Sequence, residues 1–309
     1  MPGTRLRSVR ADGTPVYRYE PRRGMPPISV IRFDPVHDPI ELPSDHRHTH
    51  DFLVLVFVER GDLPVRIDNS AESMPTGAVY PISPGQVLGA GSVTAIGHSL
   101  AWAVFFMPEA VPGTAGFSSP LRWGDHPLLA LFTPARSPSQ PPRRLVVPPA
   151  ERPGWSERFA ELHAETSAPD QVGADQAAAA ALTLILVDAA RLARTQGQTT
   201  PSDPLVARVF AVIEDHYQDP ISTRDVAREL GYTTGHLTTV IRERTGRTIL
   251  DWLTERRLTE ARRLLAETDL SLRAIAAATG HRDAEYLTRR FRGHYGMPPL
   301  RWRRLSRTR

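Results

Sequence analysis

Three histidines on alternate positions, His46, His48 and His50, are the residues of this chain that most readily suggest chemistry. Imidazoles spaced along a strand can bind Zn, Fe or Ni. The plainer expectation is that they enter a strand as polar residues or hydrogen-bond a ligand. No Ser/His/Asp set and no paired-carboxylate spacing stands out among the 309 residues, so no catalytic residue is assigned. Cysteine is absent, which excludes disulfide scaffolds, Cys-ligated zinc, iron–sulfur clusters and thiol nucleophiles. The second chemical signal is charge. All 38 basic residues are Arg, and the net charge is only +4. From Asp203 onward there are 20 Arg against 14 acidic residues, a balance of +6, which leaves −2 for residues 1–202. A basic C-terminal third points to a polyanionic partner.

These residues need elements to hold them. Segments 28–33, 51–60, 63–68, around 85–88, and 100–107 are short, rich in Val, Ile, Leu and Phe, and punctuated by Gly, Pro and Asp. That pattern predicts strands of a small sandwich or barrel. Residues 133–154 are crowded with Pro and predict a connector with one extended piece at 144–147. Helices are expected at 155–166 and 176–194. The second is apolar nearly all round, so it should be buried against its own domain or a second copy. No apolar run is expected to reach the ~20 residues of a bilayer span, and the N-terminus lacks the apolar stretch of a secretory signal. A cytoplasmic protein with no membrane contact is expected.

The last hundred residues repeat themselves. Ser222 and Ser271, Val226 and Ile275, Ala227 and Ala276, and Gly231 and Gly280 are each 49 apart. Leu237 and Leu287, Ile241 and Phe291, and Gly246 and Gly296 are 50 apart, so one residue is added in the second turn. Each copy reads as a Ser-capped helix, a glycine turn and a second helix. In a helix-turn-helix the second helix enters the DNA major groove. Residues 249–267 carry Leu250, Leu253, Leu258, Ala261, Leu264 and Leu265 on a helical period and should join the copies. A connector of ~15 residues spans ~22 Å, compatible with two reading helices about one DNA turn apart.

Residues 205–304, with DVARELGYTTGHL, RRLTEARRLLAETDLSLRAIAAATG and YLTRRFRGHYGMPPLRWR in order, resemble the AraC/XylS family of bacterial transcription regulators. The resemblance implies reading helices at about 233–245 and 283–295. Base-facing positions then fall on Gly235, Thr238 and Thr239 in the first, and on Ala284, Glu285, Thr288 and Arg289 in the second. By residue type, Arg289 suits guanine, Glu285 a cytosine amine, and the Thr methyls thymine. Glu285 could instead pair with Arg289 along the helix. Arg242, Arg290 and Arg292 suit phosphates. Family members often carry Arg where Thr239 stands and Phe where His281 stands. Weaker polar readout by the first helix and a packing role for His281 are therefore expected.

The N-terminal half resembles, less sharply, the cupin-like sensor barrel common in such regulators. Metal-binding cupins carry a Glu shortly after the HxH pair and a later His. Here the Glu position falls on or near Val54, and no His follows until His98. No metal and no cofactor are therefore expected. Barrel-facing His48, His50, Phe52, Trp102 and Phe106 would line a pocket for a small organic effector. The resulting expectation is an α+β chain of two domains. Residues 1–132 form an effector-sensing cupin-like β barrel, 133–196 a connector with dimerisation helices, 197–202 a linker. Residues 203–309 form an all-α DNA-binding domain whose two helix-turn-helix motifs are joined by a central helix. The implied partners are double-stranded DNA, a small effector, a second copy and RNA polymerase. The implied role is transcription regulation, with activation favoured. A cupin-type metal enzyme fused to a DNA-binding module is the alternative.

Overall fold

The computed structural model describes residues 3–10, 12–20, 25–34, 47–68, 70–90, 99–114, 123–124, 126–133, 142–198, 203–245 and 247–307. His46, His98, Gly246, linker residues 199–202 and connector residues 134–141 lie outside them. The protein is mixed α and β: sheets come first, then helices, in two compact units, the first made of Met1–Ala115, Asp125–Pro134 and Pro141–Thr199 and the second of Gly116–Gly124, Ala135–Gln140 and Thr200–Arg309.

The first unit contains β1 (Thr4–Val9), β2 (Pro15–Tyr19), β3 (Ile28–Phe33), β4 (Arg47–His50), β5 (Leu53–Arg60), β6 (Asp62–Ile67), β7 (Ser70–Pro75), β8 (Ala78–Ile82), β9 (Val87–Ala90), β10 (Leu100–Phe106) and β11 (Leu145–Val146). They form a six-stranded sheet ordered β1-β2-β4-β9-β6-β7 and a five-stranded sheet ordered β11-β8-β5-β10-β3. All pairings are antiparallel except β2 with β4, where Tyr17 lies opposite His50.

Two-residue periodicity gives the five-stranded sheet two apolar faces. Val54, Val58, Ala101, Ala103 and Phe105 join Phe52, Ile67 and Met74 in one core cluster. The alternate residues meet aromatic side chains beyond the strands: Phe57 packs on Trp155 (ring centroids 5.7 Å) and Phe159 (5.4 Å), and Phe106 on Phe132 (5.4 Å). Trp155 and Phe159 belong to α1 (Arg152–Ser167), which begins inside the predicted connector. Pro153 is compatible with that start because the first helical turn needs no donor from it.

Helix α2 (Ala174–Thr195) packs on α1 but is covered along one face only. Ala178, Leu182, Ile185, Leu186 and Ala189 are buried, whereas Leu184 is 49% exposed. Burial all round is therefore not met within this chain. The expectation that no segment reaches bilayer length is also corrected, because α2 is long and apolar enough to cross a membrane by length and composition. Within this unit its Asp188 accepts from Arg158 of α1 at 2.8 Å.

Among its described residues the second unit contains seven helices: α3 (Pro204–His216), α4 (Thr223–Leu230), α5 (Thr234–Thr245), α6 (Ile249–Glu267), α7 (Leu272–Ala278), α8 (Ala284–Tyr295) and α9 (Pro299–Arg307). Two apolar clusters sit along α6. Trp252 and Leu253 close a cluster with Val226, Leu237 and Ile241, and Leu258, Ala261 and Leu265 close one with Ile275, Leu287 and Phe291.

Candidate nucleic-acid interface

Local chemistry fixes where each outward-facing helix begins. Ser222 and Asp225 form a reciprocal capping box at α4, and Thr248 and Asp251 form another at α6. Ser271 caps α7, its Oγ accepting from the Ala274 N–H at 3.2 Å. Asp283 caps α8, accepting from the Tyr286 N–H at 2.7 Å. Gly231 and Gly280 turn the chain between the helices of each pair in the left-handed region, at φ 77° and 67°.

The 3.6-residue period then sorts each helix into two faces. In α8, Leu287, Phe291 and Tyr295 are buried, while Glu285, Thr288, Arg289, Arg292 and Gly293 line an open groove of about 550 Å³. In α5, Leu237 and Ile241 are buried, and Gly235, Thr239 and Arg242 are exposed. The two helices occupy the ranges expected for reading helices to within one residue.

Side-chain geometry refines the assignments. Thr238 and Thr288 turn their hydroxyls back on Thr234 O and Ala284 O, both at 2.7 Å, so their methyl groups remain for contact. Among the described residues no ion pair joins Glu285 to Arg289. Instead the Arg289 guanidinium lies 5.3 Å from the Tyr286 ring centre. Arg290 points away from the groove and donates to Thr254 Oγ1 of α6 at 3.2 Å. Ala284 is half-buried at the helix start. Gly293 had not been picked out in the sequence, although it stands eight residues after Glu285 and so shares its face.

Much of the basic charge is structural. Arg256 of α6 grips Glu214 of α3 with two bonds, 2.7 and 2.9 Å, and lies 3.9 Å over the Tyr217 ring. Arg244 donates to both Asp203 oxygens at 2.6 Å. His281 is buried, with its Nδ1 2.8 Å from Thr279 Oγ1. Burial first, then the nearby Arg257 and Arg290, lower its pKa to about 4.

The structure divides the five residues expected to line an effector pocket. His50 stacks on Phe52 with ring centroids 4.7 Å apart, and His48 lies 6.5 Å from His50. Phe52 meets Phe105 at 5.7 Å inside the core between strands. Trp102 and Phe106 face the other way: Trp102 meets Phe159 at 6.4 Å and donates to Glu59 Oε2 at 2.7 Å. Those two are therefore not brought together with the His48–His50–Phe52 group. His50 is buried, its Nδ1–H donating to Phe52 O at 2.7 Å, and burial holds its pKa down at about 4. The ring is thus neutral, with Nε2 as an unpartnered acceptor. Among the described residues no group of three His, Asp or Glu side chains converges as a metal cage.

Residues 226–305 match the family model described as a helix-turn-helix domain. Curated relatives align over about a third of the chain. The multiple antibiotic resistance protein MarA of Escherichia coli strain K12 is 29% identical over 91 residues, 29% of this chain and 72% of that one. The HTH-type transcriptional regulator GlxA of Rhizobium meliloti is 33% identical over 103 residues, 33% of this chain and 32% of the relative. The transcriptional activator NphR of a Rhodococcus species is 35% identical over 124 residues, 39% of this chain and 34% of the relative. The matches thus span only about a third of GlxA and NphR. These relatives are transcription regulators rather than enzymes. The C-terminal helical unit therefore carries a helix-turn-helix domain similar to those of AraC-family DNA-binding transcription regulators.

Proposed function

We propose that the protein binds a specific double-stranded DNA sequence with two helix-turn-helix motifs, α4–α5 and α7–α8, and activates transcription under control of its N-terminal unit. The groove on α8 carries this reading. It gathers a fork-shaped cation, a carboxylate and a Thr methyl on one helix face whose opposite side is anchored in the core. Arg289 takes guanine in a bidentate pair, Glu285 accepts from a cytosine amine, and the Thr238, Thr239 and Thr288 methyls meet thymine. Ala284 and Gly235 stand at the entering ends of the two helices. Arg242 and Arg292, exposed and without an ion pair among the described residues, bind phosphates and set the register. Arg290 contributes by bracing α8 on α6.

The N-terminal unit acts as a cupin-like sensor for a small organic effector. His48, His50 and Phe52 are its ligand group, and a ligand donor would satisfy His50 Nε2. Trp102 and Phe106 serve the sheet–helix core instead. Helices α1 and α2 form a homodimer interface, since the uncovered apolar face of α2 needs a partner. The protein works in the cytoplasm, and RNA polymerase is its partner at the promoter. Control is by linkage: the effector shifts how the DNA-binding units are presented by no more than its differential affinity for two conformations.

Selection of genomic fragments by the full-length protein at ~150 mM salt, where non-specific phosphate binding is weakened, tests the reading. The expected result is a motif with two half-sites about one turn apart. Failure to enrich a motif, both by the full chain with and without cell extract and by residues 203–309, overturns it.

A further inference from the structure

The two DNA-facing helices end on a common carboxylate. Glu255 sits in α6, the helix between the pairs, with its side chain 17% exposed. Its Oε2 accepts from Arg247 Nη2 at 3.0 Å, and its Oε1 lies 3.4 Å from His294 Nε2. Arg247 follows the last turn of α5. It is held there by its own N–H donating to Thr245 Oγ1 at 3.3 Å and by its guanidinium lying 4.5 Å from the Trp252 ring centre. Trp252 in turn donates to Thr245 Oγ1 at 2.9 Å. His294 belongs to the last turn of α8, one residue beyond Gly293 of the groove, with its ring 4.6 Å from that of Tyr295.

One carboxylate therefore holds the C-terminal end of each reading helix. Other links from α6 each serve a single helix: Arg290 to Thr254 and Arg262, 5.8 Å from the Tyr295 ring centre, serve α8, and the Trp252–Thr245 bond serves α5. The two apolar clusters along α6 are likewise separate, one for each pair. Apolar packing is non-directional and tolerates small rotations, whereas a charge-assisted hydrogen bond such as that from Arg247 to Glu255 fixes direction as well as distance.

We infer that Glu255 is a positioning residue that sets the angle between the two reading helices, and with it the half-site spacing the protein accepts. The inference rests on the reading that α5 and α8 engage one duplex. Glu255 acts through its two partners. Because the same carboxylate engages Arg247 and His294, removing its charge has two separable consequences. If Glu255 positions the helices, its loss relaxes spacing. If it only masks cations, its loss strengthens binding to every duplex alike.

The test uses the full-length protein and the duplex recovered by genomic selection, together with duplexes carrying one base pair added or removed between half-sites. Another duplex has one half-site scrambled. Wild type should lose about tenfold or more on a one-pair change in spacing, as for a mismatch in a site. Glu255→Gln should bind the optimal duplex several-fold more weakly and lose less than about threefold on the same change. His294→Gln, which cuts only the link to α8, should flatten the spacing profile in the same way and covers the case in which Glu255→Gln does not fold. Folded variants with the wild-type steepness overturn the inference while leaving two-helix reading intact. A uniform gain on all duplexes overturns it in favour of cation masking. A wild-type protein indifferent to both spacing and the scrambled half-site overturns the two-helix reading itself, and the inference falls with it.

Discussion

The two helix pairs of the C-terminal unit place their core residues alike and differ at most of their outward positions. Leu237 and Ile241 of α5 occupy the places that Leu287 and Phe291 take in α8, all fully buried. Facing outward, Gly235 stands against Glu285, Thr239 against Arg289, and Glu243 against Gly293, whereas Thr238 matches Thr288 and Arg242 matches Arg292. The turns diverge too. Gly231 is followed by Tyr232, which is 37% exposed, and Gly280 by buried His281. Packing preserves what the duplication began with, because a core position rejects changes of shape. The exposed face meets no such constraint within the chain, and the two copies differ there in charge and size. The second pair thus carries the more strongly charged outward face and the tighter turn.

The largest expected difference between the pairs lies in their turn glycines. A Cβ on Gly280 would come within 2.5 Å of Tyr217 O and 2.8 Å of Gln218 O, whereas one on Gly231 meets nothing within 4 Å. Gly280→Ala should destabilise by about 3 kcal/mol, combining left-handed backbone strain with the clash. Gly231→Ala, with strain alone, should cost about 1 kcal/mol. Thermal denaturation of the two variants decides this, and equal shifts in Tm would erase the asymmetry.

Next comes DNA affinity. Arg289→Ala should cost about 1–3 kcal/mol and relax preference at one base position. Thr239→Ala at the equivalent place should cost less, since only a methyl contact is lost. A loss with Arg289→Ala that is the same on all sequences would make Arg289 a phosphate contact, and binding measured across a panel of single-base variants tells the two apart.

The second pair should also carry a pH response of its own through His281. His281 has a folded pKa of about 4, below the ordinary 6.5. Between those values the unfolded chain binds more protons, so stability is full above pH 6.5 and is lost as pH falls towards 4. Lowering the pH from 7 to 5 should cost about 1–2 kcal/mol from this group. His281→Phe should remove that slope in urea titrations of residues 203–309, where His50 of the sheet unit, lowered in the same way, does not contribute. An unchanged slope would assign the pH response to other groups.

The smallest effect has opposite signs in two assays. Gly293 lies within α8, and a Cβ there would meet nothing within 4 Å. Gly293→Ala should therefore stabilise the free protein by about 0.5–1 kcal/mol while weakening DNA binding, if the groove admits the DNA backbone closely. A variant that gains in both measurements would show that nothing approaches Gly293.

Legibility in the sequence followed the range of the interactions. The capped helix starts, the glycine turns and the split of α8 into core and outward faces depend on residues within eight positions of each other, and all could be read before any coordinates. In the sheet unit, β3, β5, β6 and β10 stood out as apolar runs, but β1, β2, β4, β7 and β8 did not. PVYRY and SAESMP are mixed in character, and their strand state comes from pairing with partners elsewhere in the chain. The pocket assignment of Trp102 and Phe106 failed to hold together for a related reason. All seven residues of β10 are buried, so polarity cannot say which face looks inward.

The sequence by itself determined the likeness of the C-terminal unit to AraC-family regulators, the repeat, the basic bias and the outward faces of α5 and α8, because helix periodicity and capping are local and are written in neighbouring residue types. Only the tertiary structure decided that α1 covers one side of the five-stranded sheet and that α2 keeps an apolar face uncovered. It alone showed that many of the arginines hold helices together rather than await phosphate, and that Glu255 bridges Arg247, just past α5, and His294 of α8. Those outcomes depend on side chains far apart in the chain arriving within 3–4 Å of one another, and no spacing along the sequence encodes such a meeting.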